Sequence, residues 1–191
     1  MLPKLISNDW PMVSRSFFDN QTLPSYFLRM ESLHAPWRIE YVLGPKEGED
    51  GEPLFAGIAQ SNDDIKNHVI ARTKSSFAVL NTFPYSGGHV LVLPYRQVSD
   101  LDELTEVELL DLMKLLVRCK QAIASSMQPH GFNVGLNIGR VAGAGIEEHL
   151  HFHIVPRWQG DTNFMPTIGQ TSVLPEALSE TADKLRAALK D

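Results

Sequence analysis

The segment Glu148-His149-Leu150-His151-Phe152-His153-Ile154-Val155-Pro156 sets three histidines two residues apart. Side chains of an extended chain alternate between faces, so a strand from His149 to Pro156 would put all three imidazoles on one face. At a rise of about 3.3 Å per residue they would stand roughly 6.5–7 Å apart. Leu150, Phe152 and Ile154 would share the opposite face and hold the register against a core. A neutral imidazole is a competent nucleophile near neutral pH, and its attack on phosphorus gives an activated phosphoramidate that water or another acceptor can displace. The middle ring, His151, is best placed to attack. Its Nδ1 must then carry the hydrogen and donate it to a fixed acceptor such as a backbone carbonyl, leaving the lone pair on Nε2. His149 and His89 are placed to arrange that acceptor. Activity is expected to fall below about pH 6 to 6.5, the ordinary range of histidine.

Two further segments support phosphate chemistry. Gly139-Arg140-Val141-Ala142-Gly143-Ala144-Gly145 has little side-chain bulk and can bring backbone N–H groups onto phosphate oxygens, with Arg140 adding positive charge. His89 follows the turn Ser86-Gly87-Gly88 at the start of an apolar run. Imidazoles two apart on a strand also chelate zinc, iron or copper in several folds. That alternative leaves the Gly-rich loop and the Gly-Gly-His segment without a purpose. Asn81 and Asn137, taken alone, can simply satisfy nearby backbone groups. His34, His68 and His130 stand outside any constellation.

These groups need a rigid frame. Ser76 to Phe83 reads as a buried strand, Pro84 to Gly88 as a turn and His89 to Pro94 as a second strand, which together predict an antiparallel hairpin. Thr105 followed by Glu108 is a capping-box pair. Val107, Leu110, Met113, Leu116 and Val117 then recur at helical spacing until Pro129, predicting a helix from Glu103 to Gln128 with that stripe against the sheet. Gly131 to Gly139 alternates like a half-buried strand. Leu178, Ala182, Leu185 and Leu189 share one face of a C-terminal helix opened by Pro175. Upstream, Arg38 to Val42 alternates like a strand, and the charged, turn-rich run from Gly44 to Pro53 reads as a connector. An N-terminal extension, 1–52, carrying Trp10, Phe17, Phe18, Tyr26, Phe27 and Trp37, is expected to pack on a main domain, 53–191.

With 191 residues, 43% of them hydrophobic and 21% charged, the chain suits one core-forming domain plus that extension. A net charge of −6 argues against a broad grip on nucleic acid, while leaving room for a small anion in a locally positive pocket. No apolar run approaches the roughly 20 residues that cross a bilayer, and the start lacks the apolar stretch of a secretory signal, so a cytoplasmic protein without a membrane partner is expected. The single cysteine, Cys119, can form neither an internal disulfide nor a paired-cysteine zinc site, and it reads as core filler.

His-Leu-His-Phe-His-Ile-Val resembles the signature of the histidine triad (HIT) family, and Asn81 through Gly-Gly-His89 to Val92 resembles that family's upstream half-site. The likeness runs from about Phe77 to Trp158. From Gly135 to Gly139 and through Pro156-Arg157-Trp158 it is most similar to the diadenosine tetraphosphate phosphorylase branch. The resemblance implies an α+β fold, with a strongly bent antiparallel sheet crossed by a long helix, and a homodimer. It implies a covalent nucleotidyl intermediate on His151, oriented by His149 and His89, with His153 at the scissile phosphate or leaving group. Asn81 would bind ribose, and Asn137, Gly143, Ala144 and Gly145 would hold phosphates. Many relatives carry a Cys-x-x-Cys metal site upstream; Pro53-Leu54-Phe55-Ala56 has no cysteine, so no zinc or other cofactor is carried over, although a divalent metal could accompany the nucleotide's phosphates. The expected substrates have the form adenosine-phosphate-X, diadenosine polyphosphates foremost, cleaved by phosphorolysis or hydrolysis. A phosphoramidase-like hydrolase and a nucleotide sensor with little turnover are the alternatives.

Overall fold

The computed structural model describes residues 53–161 and 176–190. The chain divides into two units, Met1–Leu33 and His34–Asp191, and every described residue belongs to the second. The expected strand at 38–42, the packed extension, the boundary after residue 52 and Pro175 lie outside the described residues.

The hairpin forms as the sequence predicts. Strand β2 (Ser76–Leu80) pairs antiparallel with β3 (Val90–Pro94) from Ser76 opposite Pro94 to Leu80 opposite Val90, and all ten residues are buried. On the far side of β2 lies β1 (Val69–Arg72), with a register shift between Val69 and Ala71. On the far side of β3 lies β5 (Phe152–Arg157), which also pairs with β4 (Gly131–Leu136). The order β1-β2-β3-β5-β4 makes one antiparallel sheet.

Two cores explain why β2 after Ser76 and all of β3 are apolar: each of their faces is covered. Ala78, Leu80, Val90, Val92 and Ile154 pack beneath two helices, α2 (Glu106–Met127) and α3 (Leu178–Ala188). Phe77, Val79, Leu91 and Leu93 pack on the other face with Ile146 and with Phe55 of helix α1 (Leu54–Gln60). The α+β architecture is therefore the one expected.

Helix α2 begins at the expected cap: Thr105 accepts from the Glu108 amide while the Glu108 carboxylate accepts from the Thr105 amide. Its buried face differs from the expected stripe. Leu112, Leu115, Leu116, Cys119, Ala122 and Ile123 face the core, whereas Val107, Leu110, Met113 and Val117 are exposed, Val107 by 69%. Both stripes have helical spacing, and Leu116 of the expected one is shared with the face that covers the sheet. Complete burial of a side chain such as Leu112 or Leu115 stabilises the fold by about 1.5–3 kcal/mol. Burial pushes the Cys119 thiol up to about 12, consistent with a packing role.

The histidine strand also starts later than expected. Pairing begins at Phe152, and residues 149–151 lie outside the ladder because the Leu150 amide donates instead to the Val98 carbonyl (2.7 Å). Phe152 and Ile154 do pack toward α2.

Candidate active site

Although 149–151 leave the strand, the imidazoles still converge. Three of the four candidate rings, His89, His149 and His151, are fully or almost fully buried. The His151 and His153 ring centroids are 5.0 Å apart at 61°, closer than two steps along a strand, and those of His89 and His153 are 5.1 Å apart. His153 sits opposite Leu91 in the β3–β5 ladder, one residue from the pair Val90–Ile154, and His89 precedes β3, so strand pairing brings these two together. Gly88, just before His89, lies close beneath α2. It has φ +77°, and a Cβ there would stand 2.6 Å from the Met127 sulfur.

Main-chain partners determine which nitrogen of each ring carries hydrogen. A carbonyl only accepts, so His149 donates from Nε2 to the Pro94 carbonyl (2.8 Å), and His151 donates from Nδ1 to the carbonyl of His149 (2.7 Å). The neutral His151 ring therefore keeps its lone pair on Nε2. The Tyr85 amide donates to Nδ1 of His89 (3.2 Å), so His89 donates from Nε2 to Nδ1 of His153 (2.9 Å). His153, when neutral, then carries its hydrogen on Nε2. The site thus holds one ring with a free Nε2 lone pair beside one whose Nε2–H can donate a hydrogen bond.

Burial lowers the affinity of His149 and His151 for a proton below that of ordinary histidine. Desolvation is the leading cause for both, and the carbonyl bonds oppose it. Phe55 contributes to that apolar shell: its ring meets His149 edge-on at 5.6 Å and His151 at 5.3 Å.

The remaining expected residues are placed as follows. Asn81 lines a cleft together with Leu54, Phe55, Ile58 and Ile146. Its Oδ1 accepts from the Phe83 amide (2.9 Å), which turns Nδ2 toward Nδ1 of His89 (3.3 Å). Asn137 reaches the Gly143 carbonyl (3.5 Å) and braces the Gly-rich loop. In that loop Arg140–Ala142 forms a 3-10 turn that Gly143 closes at φ +93°, and the Gly143 and Ala144 amides donate to the carbonyls of Arg140 and Gly139. Those two N–H groups, expected to meet phosphate, are engaged within the loop here. Arg140 is paired with Glu147 (2.9 Å). Ile146 joins the Phe55 core and ties the loop's end to the cleft.

Residues 62–160, more than half of the chain, match the HIT domain. This chain belongs to the HIT family. Among HIT proteins it is 41% identical over 159 residues to the AP-4-A phosphorylase of Mycobacterium tuberculosis, covering 80% of this chain and 81% of that one. It is 38% identical over 97 residues to the asymmetrical bis(5'-nucleosyl)-tetraphosphatase of Schizosaccharomyces pombe, covering 51% of this chain and 53% of that one. A hypothetical histidine triad nucleotide-binding protein from Sulfolobus tokodaii superposes with a TM-score of 0.59 at 27% identity, covering 72% of this chain and 91% of that structure. The likeness to the phosphorylase branch, read from short motifs, therefore extends through most of the HIT chain.

Sequence reasoning missed Phe55, Ile58 and Ile146 on the cleft and Tyr85, whose ring stacks on His89 at 5.0 Å and 17°. Tyr85 could have been suspected from its place in the turn before His89. Phe55 carries no such signal, because it reaches the histidines only through the fold.

Proposed function

We propose that this HIT protein is a nucleotide hydrolase or nucleotidyltransferase in which Nε2 of His151 attacks the α-phosphorus of an adenosine-phosphate-X substrate, diadenosine polyphosphates foremost. The observation that carries this reading is the 2.7 Å bond from His151 Nδ1 to the His149 carbonyl, which leaves Nε2 as the lone-pair nitrogen. In the first step an N–P bond forms and the P–O bond to X breaks; X of a dinucleoside polyphosphate leaves as a phosphate oxyanion that accepts a hydrogen bond from Nε2–H of His153. In the second step phosphate or water attacks the same phosphorus, the N–P bond breaks to return neutral His151, and any proton the acceptor sheds passes to solvent. The imidazoles perform both steps; any divalent cation arrives on the substrate's phosphates. Asn81, at the cleft beside His89, is assigned to the ribose, and the apolar wall of Leu54, Phe55 and Ile58 to the base. Asn137 and the loop Gly143-Ala144-Gly145 are assigned to the phosphates.

Likeness to the AP-4-A phosphorylase along most of both chains supports the choice of dinucleoside polyphosphates. Incubating the protein with diadenosine tetraphosphate, with and without inorganic phosphate, tests it. ADP that forms only with phosphate identifies phosphorolysis, AMP identifies hydrolysis, and no cleavage under either condition removes the reading. His151→Ala is expected to lower turnover by several orders of magnitude.

The same reading includes a homodimer built on the edge strand β4. Val134 of that strand is exposed, as is the Val107, Leu110, Met113 and Val117 stripe of α2. Helix and edge strand adjoin, since Lys120 of α2 lies 5.3 Å from the Phe132 ring centroid. An antiparallel edge pairs naturally with its own copy about a two-fold axis.

A further inference from the structure

Arg72, the last residue of β1, touches none of the four histidines, yet its guanidinium is fully engaged. Its five N–H groups make five bonds. Nε donates to Asp64 Oδ1 (2.9 Å), Nη1 to the Ala59 carbonyl (3.1 Å) and the Tyr95 hydroxyl (3.4 Å), and Nη2 to the carbonyls of Ile58 (3.1 Å) and Ser61 (2.9 Å). Its carbon lies 5.8 Å and 5.9 Å from the ring centroids of Phe77 and Tyr95.

Three of the five acceptors are main-chain carbonyls at the C-terminal end of α1. The last carbonyls of a helix lack intrahelical partners and carry the negative end of its dipole. Helix α1 has seven residues, no basic residue in its last turn and no side-chain cap at its start. A helix so short does not persist on its own. Arg72 supplies from the sheet the cation and donors that α1 lacks. The buried residue of α1 is Phe55, which lies against His149 and His151, and Leu54, Phe55 and Ile58 form one wall of the cleft that contains Asn81.

We propose that Arg72 is a positioning residue of the nucleotide site: by pinning the C-terminal end of α1 to β1, it sets Phe55 against His151 and holds the apolar wall of the cleft in place. This rests on His151 being the nucleophile. The guanidinium matters as a planar fork. A lysine keeps the charge but has three donors on one nitrogen in place of the five on three nitrogens that Arg72 uses here.

Arg72→Lys in the full-length protein is the decisive variant, because it preserves the charge while removing the fork. Among the described residues, the titratable groups that face His151 are His149 and His153, with His89 behind the latter, and Arg72 contacts none of them. A change in the His151 titration with the charge preserved must therefore travel through α1 and Phe55. The expected result is a KM for diadenosine tetraphosphate raised about tenfold with a smaller change in kcat. The His151 imidazole, followed by NMR in the free protein, should titrate at a higher pH than in wild type as water reaches it. Phe55→Leu should reproduce both effects, and the double variant should exceed Phe55→Leu alone in neither. Wild-type KM together with an unmoved His151 titration, even alongside a lowered thermal midpoint, would reduce Arg72 to a stabilising residue and overturn the proposal. If Arg72→Lys does not fold, Asp64→Asn loosens the same guanidinium, and the same KM and titration shifts support or overturn the proposal. The titration needs no turnover, so a wild-type protein that fails to cleave the dinucleotide would sink the functional reading while still reporting on the clamp.

Discussion

His151 takes its orientation from a main-chain carbonyl two residues back, where many catalytic histidines use a carboxylate. A carbonyl cannot titrate, so the tautomer with a free Nε2 is kept at any pH at which the ring is neutral. Burial extends that range downward. The acid limb of kcat/KM should accordingly lie below pH 6.5, lower than the sequence alone suggests, and a pH–rate profile checks it. An acid limb at or above ordinary histidine would contradict the buried nucleophile. The same shift has a consequence for stability. The unfolded chain binds the proton first as pH falls through the ordinary histidine value, so the stabilisation from neutral His149 and His151 is complete above that value. It declines below it until the lowered folded-state value is passed. The alternation of histidines with apolar residues made the cluster of imidazoles legible. The long-range partners were not, because the Pro94 carbonyl that holds His149 and the His153 ring that accepts from His89 come from other parts of the chain.

Helix α2 shows how local and non-local information divide. Its start was legible because a capping box is a contact between residues three apart, and the structure reproduces it. The Glu108 carboxyl is held down to about 2, first by its bond to Arg96 and then by the Thr105 amide and hydroxyl. Its favourable interactions are therefore present above the unfolded value near 4.5 and are lost as pH falls toward 2. Glu108→Gln should lower the thermal midpoint at pH 7 and make no difference near pH 2. Thr105→Ala should cost about 1 kcal/mol in denaturant unfolding. The buried face of the same helix was not legible. Two apolar stripes share its surface, and helical periodicity cannot tell which one the sheet covers. Strand β5 shows the same limit: alternation from His149 onward looks continuous, but hydrogen bonding begins only at Phe152, where β3 can pair with it.

Across the molecule, the sheet order β1-β2-β3-β5-β4 carries the site, because β3 and β5 become neighbours although α2 and β4 separate them in sequence. That adjacency joins His89 to His153. At the sheet's end, β4 and the exposed stripe of α2 are the surfaces assigned to a second copy. Sedimentation should give a dimer for the wild type and a monomer for Met113→Glu combined with Val134→Arg; a monomeric wild type would end that assignment.

Residue types and short-range spacing were enough to specify the β2–β3 hairpin, the capped helix and the alternating histidines with their Gly-rich neighbour, since each depends on residues near one another in sequence, and the family resemblance supplied the α+β class. Folding in three dimensions added the Pro94 carbonyl beneath His149, the His89–His153 bond, the Phe55 wall and the Arg72 clamp. Each of these joins groups from separate segments of the chain, and such pairings follow from strand order and from which helix face is buried. One-dimensional periodicity contains neither.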